Sequence, residues 1–218
     1  MRVSNHELVV HRNETFTLDK LVKNRDDSPY IISSRMVNPH FLITVSSTLY
    51  DNDDSYVYHA WLPIDGPRFD STTPVRINDF KYPSGEQMYH GFDGLSGPPS
   101  GEINGVSITY EGDGDTPCYE ALFYYEDEYH NKTYKWWSGS DGWQDYNCRI
   151  VHKFLQQYTR DWIERSYFYN IDLVDGTRNE SASAGERPLS DICELIPILE
   201  PTRMSVLSNL KGDMRWVK

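Results

Sequence analysis

Residues 12–32 read RNETFTLDKLVKNRDDSPYII, and residues 40–47 read HFLITVSS. The fold depends on how the pair Asp26–Asp27, set between these apolar runs, is understood: as a metal or catalytic site, or as the corner of a hairpin. From Thr15 to Asp19 apolar and polar residues alternate, the period of a half-buried strand. Leu21 follows one step out of phase. Val9, Val10, Phe16, Leu18 and Leu21 therefore share a buried face only if a bulge near Lys20 corrects the register. The stretch Lys23–Pro29 is a cluster of turn formers, in which Asn and Asp bond their own backbone and Pro presets φ. No neighbouring residue supplies the base, nucleophile or metal partner that a catalytic pair requires. The two acids are read as a turn, with Tyr30-Ile31-Ile32 and the β-branched run Phe41–Val45 as strands beyond it.

Working outward, Tyr56, Tyr58 and Trp61 open another strand after the turn at 51–55. Gly and Pro are dense from Pro83 to Gly105, which marks an excursion from the core. Strands resume at 106–110, 119–125 and 133–137. One segment has a helical period. Val151, Phe154, Leu155, Tyr158 and Trp162 fall on one face, which predicts an amphipathic α-helix over about 147–165 packed on a sheet, capped by Asp145 or Asn147. Tyr167–Val174 reads as a strand ending at Asp175-Gly176, and the small polar residues of 175–190 as a mobile loop. A hairpin is expected next: Ile192–Leu199, a turn at 200–202, then Met204–Leu210. Pro197 marks an edge strand or bulge. These elements predict one domain over 1–218: mainly β, an antiparallel β-sandwich of Ig-like or jelly-roll-like type with the single packed helix.

The 218 residues carry a net charge of −12, which repels phosphate and argues against nucleic acid as the main partner. The three cysteines, Cys118, Cys148 and Cys193, are odd in number and form no C-x-x-C, so a disulfide framework is not expected and a reducing cytosol is. The apolar patch of MRVSNHELVVHRNE is too short for a signal-peptide core, and no run approaches a membrane span.

Each motif with chemical potential meets a plain alternative. The acidic runs 51–54 and 111–115 suggest calcium, yet Tyr56 stands where an EF-hand loop needs glycine, and Leu62 and Leu122 where it needs a bidentate Glu. The seven histidines form no zinc-binding spacing. Ser96 and Ser140 miss the nucleophile-elbow pattern. Cys148 opens the expected helix, where burial is the commoner role. Glu126, Asp127 and Glu128 offer a carboxylate pair, in a chain with 33 acidic residues. No catalytic residue, metal or cofactor is assigned. The sequons at Asn13, Asn131 and Asn179 matter only in a secretory pathway. The aromatics Tyr134, Trp136, Trp137, Trp143 and Tyr146 have three readings: core, protein interface, or sugar-stacking platform.

The segments R12-N-E-T-F-T-L, N24-R-D-D-S-P-Y-I-I and H40-F-L-I-T-V-S-S together resemble the opening of tailed-bacteriophage tail and baseplate proteins. Here N13-E-T stands for the usual G-D-T, and D27-S-P for D-G-x-P. Y169-N-I-D-L-V-D-G resembles the returning strand and turn of such domains. The likeness covers about the first 50 residues and 165–210. It implies a non-enzymatic virion component of tail, baseplate or neck, assembled in the host cytoplasm with other virion proteins and copies of itself, without membrane. Loops 83–105 and 175–190 are the expected contacts. The alternative is a carbohydrate-binding module that uses the 134–146 aromatics on a host-surface glycan.

Overall fold

The computed structural model describes residues 8–49, 56–64, 66–79, 91–92, 101–103, 106–108, 118–163, 166–176 and 194–207. The protein is mainly β, with several sheets. By contact the chain, read from sequence as one domain, divides into two compact units: 1–27, 37–65 and 149–218 in the first, 28–36 and 66–148 in the second.

Strand β1 (Leu8–His11) and strand β2 (Phe16–Leu21) open the first unit. No bulge forms near Lys20, because β2 keeps one unbroken register along its partner. Val22, not Leu21, is the next residue in phase. Val22 and Leu18 are buried, while Leu21 is 46% exposed and Val9 is 54% exposed. Asp26–Asp27 is the turn that its chemistry predicts. Asp27 sits at φ 64, in the left-handed region that Asp tolerates, and donates its N–H to the Asn24 carbonyl at 3.2 Å. The turn closes no hairpin, because β2 pairs with β11 and not with a strand that follows it; the first unit's opening segment ends at Asp27. Tyr30-Ile31-Ile32, expected as a strand, forms none and belongs to the second unit, with an isolated bridge from Ser33 to Phe69 beside it. Ile31 and Ile32 are buried, and the Ile32 carbonyl accepts the Phe69 N–H at 2.9 Å.

Strand β3 (Pro39–Ser46) is buried on both faces and pairs with β4 (Tyr56–Pro63). In the second unit, β5 (Val75–Arg76) leads into a 3-10 turn at Ile77–Asp79. The hairpin β6 (Gly101–Ile103) and β7 (Val106–Ile108) is all that is described of 93–117. Strands β8 (Cys118–Glu126), β9 (Lys132–Trp137) and β10 (Trp143–Asp145) complete a four-stranded sheet of order β10-β9-β8-β5. Its core gathers Val75, Ile77, Phe92, Ala121 and Phe123. Each large side chain there contributes about 1.5–3 kcal/mol by leaving water.

The helix expected over 147–165 is corrected. Residues Arg149–Phe154 form strand β11, antiparallel to β2, and only Gln156–Thr159 is helical, as α1. The physical reason is the alternation of Ile150, His152 and Phe154, whose two outer members are 1% exposed, against exposed Arg149, Val151 and Lys153. Paired to β2, this period-2 pattern buries Ile150, which the helical stripe leaves out. Neither Asp145 nor Asn147 caps α1. Its Gln156 N–H bonds Thr15 Oγ1 at 3.1 Å, and Thr159 Oγ1 donates to the Glu14 carbonyl at 3.0 Å, so the turn N13-E-T anchors it.

Strand β12 (Ser166–Asp175) ends at the expected turn, where Gly176 has φ 132. The Asp175 carboxylate accepts the N–H groups of Val37 (3.2 Å) and Asn38 (2.8 Å), fastening the start of β3. The hairpin expected over 192–210 is one continuous strand instead, β13 (Glu194–Leu207). Two register shifts interrupt its pairing with β12: Tyr169 faces Thr202, Ile171 faces Leu199 and Asp172 faces Pro197. Pro201 falls in the first shift, where no ladder N–H is required of it, while Pro197 stays in register beside the second, whose extra residue is Ile198. β1 pairs in parallel with residues 204–207 alone, so Pro197 lies beyond the length that β1 covers. The sheet order is β1-β13-β12-β3-β4, with β2 and β11 as a separate two-stranded ribbon.

Candidate functional site

The aromatic run 134–146 is divided by its own strand period. β10 faces β9 with Trp143 opposite Trp137 and Gln144 opposite Trp136. Trp137 is buried, and Trp143 lies 5.4 Å from it, 5.5 Å from Phe123 and 4.9 Å from Phe92, ring centre to ring centre. These two tryptophans complete the core of the second unit. Tyr146 is also buried. Its hydroxyl donates to the Tyr30 carbonyl at 3.0 Å, its ring meets Phe69 edge-on at 5.1 Å, and burial pushes its phenol upward. Tyr134 and Trp136 belong to the other face, half-buried. Tyr134 lies 5.6 Å from Tyr124, whose ring carries the Lys132 ammonium at 5.2 Å. The five candidates therefore do not share one surface.

The carboxylates after β8 are committed to structure. Glu126 binds the His130 imidazole at 2.7 Å and Arg76 at 3.4 Å; the histidine bond first, then these charges, hold its carboxyl below the usual range. Asp127 accepts the side-chain amide of Asn131 at 2.9 Å and the backbone N–H groups of Asn131 (2.8 Å) and Tyr129 (2.9 Å), and is depressed by them in that order. A glycosidase acid needs the opposite shift, a carboxyl held protonated near neutrality. Cys148 is buried and free, and burial pushes its thiol up to about 12, away from the thiolate that a nucleophile requires. Among the described residues no group of three or more His, Cys, Asp or Glu is placed to hold a metal. The acidic runs 51–54 and 111–115 lie outside the described residues, as do residues 177–190 and most of 83–105. Among the described residues no helix is long and apolar enough to cross a membrane.

Two features escape the sequence reading. The outward face of the ribbon β2–β11 sets two exposed aliphatic residues among Thr17, Asp19, Arg149 and Lys153. Leu21 and Val151 (54% exposed) sit diagonally across it, beside the ion pair Arg149–Asp19, whose Nε–Oδ1 distance is 2.7 Å. Leu155 and Ile163 follow in sequence, at 39% and 54% exposure. On the opposite face of the ribbon, Tyr58 of β4 gathers Phe154 (5.0 Å), Tyr158 (5.2 Å) and Trp162 (6.3 Å), and its hydroxyl meets His152 Nε2 at 2.8 Å. The signal for both was the alternation from Arg149 to Phe154, hidden because Phe154, Tyr158 and Trp162 also satisfy a helical period. Compared with known proteins, the chain matches no family model, no curated protein and no solved structure.

Proposed function

We propose that this chain is a non-enzymatic structural subunit of a tailed-phage particle, an adaptor in tail, baseplate or neck that works through protein–protein interfaces. Its sheets pack in sandwich fashion, and it assembles in the host cytoplasm with other virion proteins and copies of itself. The observation that carries the reading is the outward face of the β2–β11 ribbon. Two large aliphatic residues about half in water, Leu21 and Val151, border a fixed ion pair on a rigid ladder. Apolar residues ringed by charge on a rigid element suit a protein partner. The carboxylates after β8 support the non-enzymatic side, since their hydrogen bonds favour the ionised form. A glycan platform has less support: of its five aromatics, Trp137 and Tyr146 are buried and Trp143 packs on the core.

The test is incorporation. Purified particles from infected cells should contain the chain. The double variant Leu21→Glu, Val151→Glu should fold with an unchanged circular dichroism spectrum and fail to enter particles. Particles devoid of the chain, or full incorporation of the double variant, would refute the proposal.

A further inference from the structure

The ribbon and the five-stranded sheet share no ladder: β11 pairs with β2, and the edge strand β4 pairs with β3. Aromatic packing joins them within the first unit. Phe154 stacks on Phe16 at 4.5 Å with an interplanar angle of 11°, and Tyr58 reaches across to Phe154, Tyr158 and Trp162. One hydrogen bond runs through this packing, between Tyr58 Oη and His152 Nε2. We propose that this bond is an acid-sensitive latch that holds the β2–β11 ribbon against β4.

The chemistry follows from what surrounds the imidazole. In the neutral tautomer that carries its proton on Nδ1, Nε2 accepts the phenol proton. Once both nitrogens carry protons, Nε2 becomes a donor, and the Tyr58 hydroxyl hydrogen must turn away into an apolar ring cluster. Tyr58 cannot relieve this by ionising, since burial raises its phenol to about 12. The described groups that face His152 offer no counter-charge. β2 places Leu18 opposite and Lys20 one pair along on the same face; β4 supplies Tyr58; β11 itself supplies Phe154, at 4.7 Å and edge-on; α1 and the turn after it add Tyr158 and Trp162 around Tyr58. Asp19, Arg149 and Lys153 belong to the ribbon's other face. Among the described residues, the one fixed charge on this side is the cation of Lys20. Desolvation alone holds the His152 imidazole below its ordinary value, which agrees with this geometry. The sign follows: the folded form binds the proton more weakly than the open form. The latch is fully set above the ordinary histidine value and loosens as pH falls through it.

The experiment is amide hydrogen exchange of β2 and β11, expressed as opening constants, at about pH 7.5 and about pH 5, beside an NMR titration of the His152 ring protons. In the full chain the opening constant should rise on acidification, by up to about tenfold for each unit by which His152 titrates below an exposed imidazole. In His152→Gln, whose side-chain oxygen still accepts from Tyr58 without titrating, the rise should vanish. His59 is also depressed by burial but alternates to the other side of β4; it is present in both proteins and cancels. Tyr58→Phe provides a second measure and should raise opening at about pH 7.5. The latch is refuted by a His152 midpoint at or above that of an exposed imidazole. It is equally refuted by an acid rise that persists in His152→Gln, or by unchanged exchange at the higher pH in Tyr58→Phe.

Discussion

Ile150 and Val151 are neighbours with opposite fates, and the pair gives a sharp test of the strand at 149–154. Ile150 is 1% exposed and faces inward across from Lys20; Val151 is 54% exposed and faces Asp19 on the outer side. Truncating Ile150 to Ala removes buried methyl groups and leaves a cavity, at a cost of about 2–5 kcal/mol. Truncating Val151 to Ala removes atoms already half in water and some strand propensity, at about 0.5–1 kcal/mol. A helix bearing the stripe Val151, Phe154, Leu155, Tyr158 and Trp162 would reverse this order. In urea, with a slope of about 1–3 kcal/mol per molar, Ile150→Ala should lower the midpoint by about 1 M or more, and Val151→Ala by a small fraction of that. Because the chain has two compact units, the loss should be assigned by exchange of β2 amides as well as by tryptophan fluorescence. Equal cost at the two positions, or a larger cost at Val151, would refute the strand.

Two further outcomes are expected. Asp27→Gly should leave stability unchanged or slightly improved, while Asp27→Val should cost about 1–2 kcal/mol, because residue 27 sits at φ 64 where a β-branched side chain is strained; thermal melts of the two variants will show it. Asp127 is held below the ordinary carboxyl value of 3.8, so the order that it imposes on the β8–β9 loop is complete above that value and is lost as pH falls through the depressed one. Protection of the Asn131 amide should follow that course in wild type and be weak at every pH in Asp127→Ala.

The sequence discloses most of the strands and fewer of their partners. Phe41, Ile43 and Val45 announce a strand because β-branched residues crowd on a pleat, and the structure buries β3 on both faces. The turn at Asp27 is legible because its chemistry is local. The bulge near Lys20 was a false inference: it was needed only if Leu21 had to be inside, and Val22 takes that place once β11 is the partner. The helix failed for a related reason. Period 3.6 and period 2 coincide over a few residues of R149-I-V-H-K-F154, and the arbiter is β2, more than 120 residues earlier. Pro201 suggested a turn, since a proline denies a ladder N–H; the bulge against Asn170 removes that objection, and no local pattern foretells it. The aromatics of 134–146 were visible as a group, but which faced the core depended on the pairing of β9 with β10.

The position of β13 has a consequence for synthesis. This late strand lies between β1 and β12, so β1 acquires its parallel neighbour only after residue 204 has been made. A chain that ends at residue 193 keeps β12, β3 and β4 but leaves β12 without its β13 neighbour. Such a chain therefore displays a partly built sheet with naked strand backbone, the kind of surface that chaperones cover and that other copies can pair with by mistake.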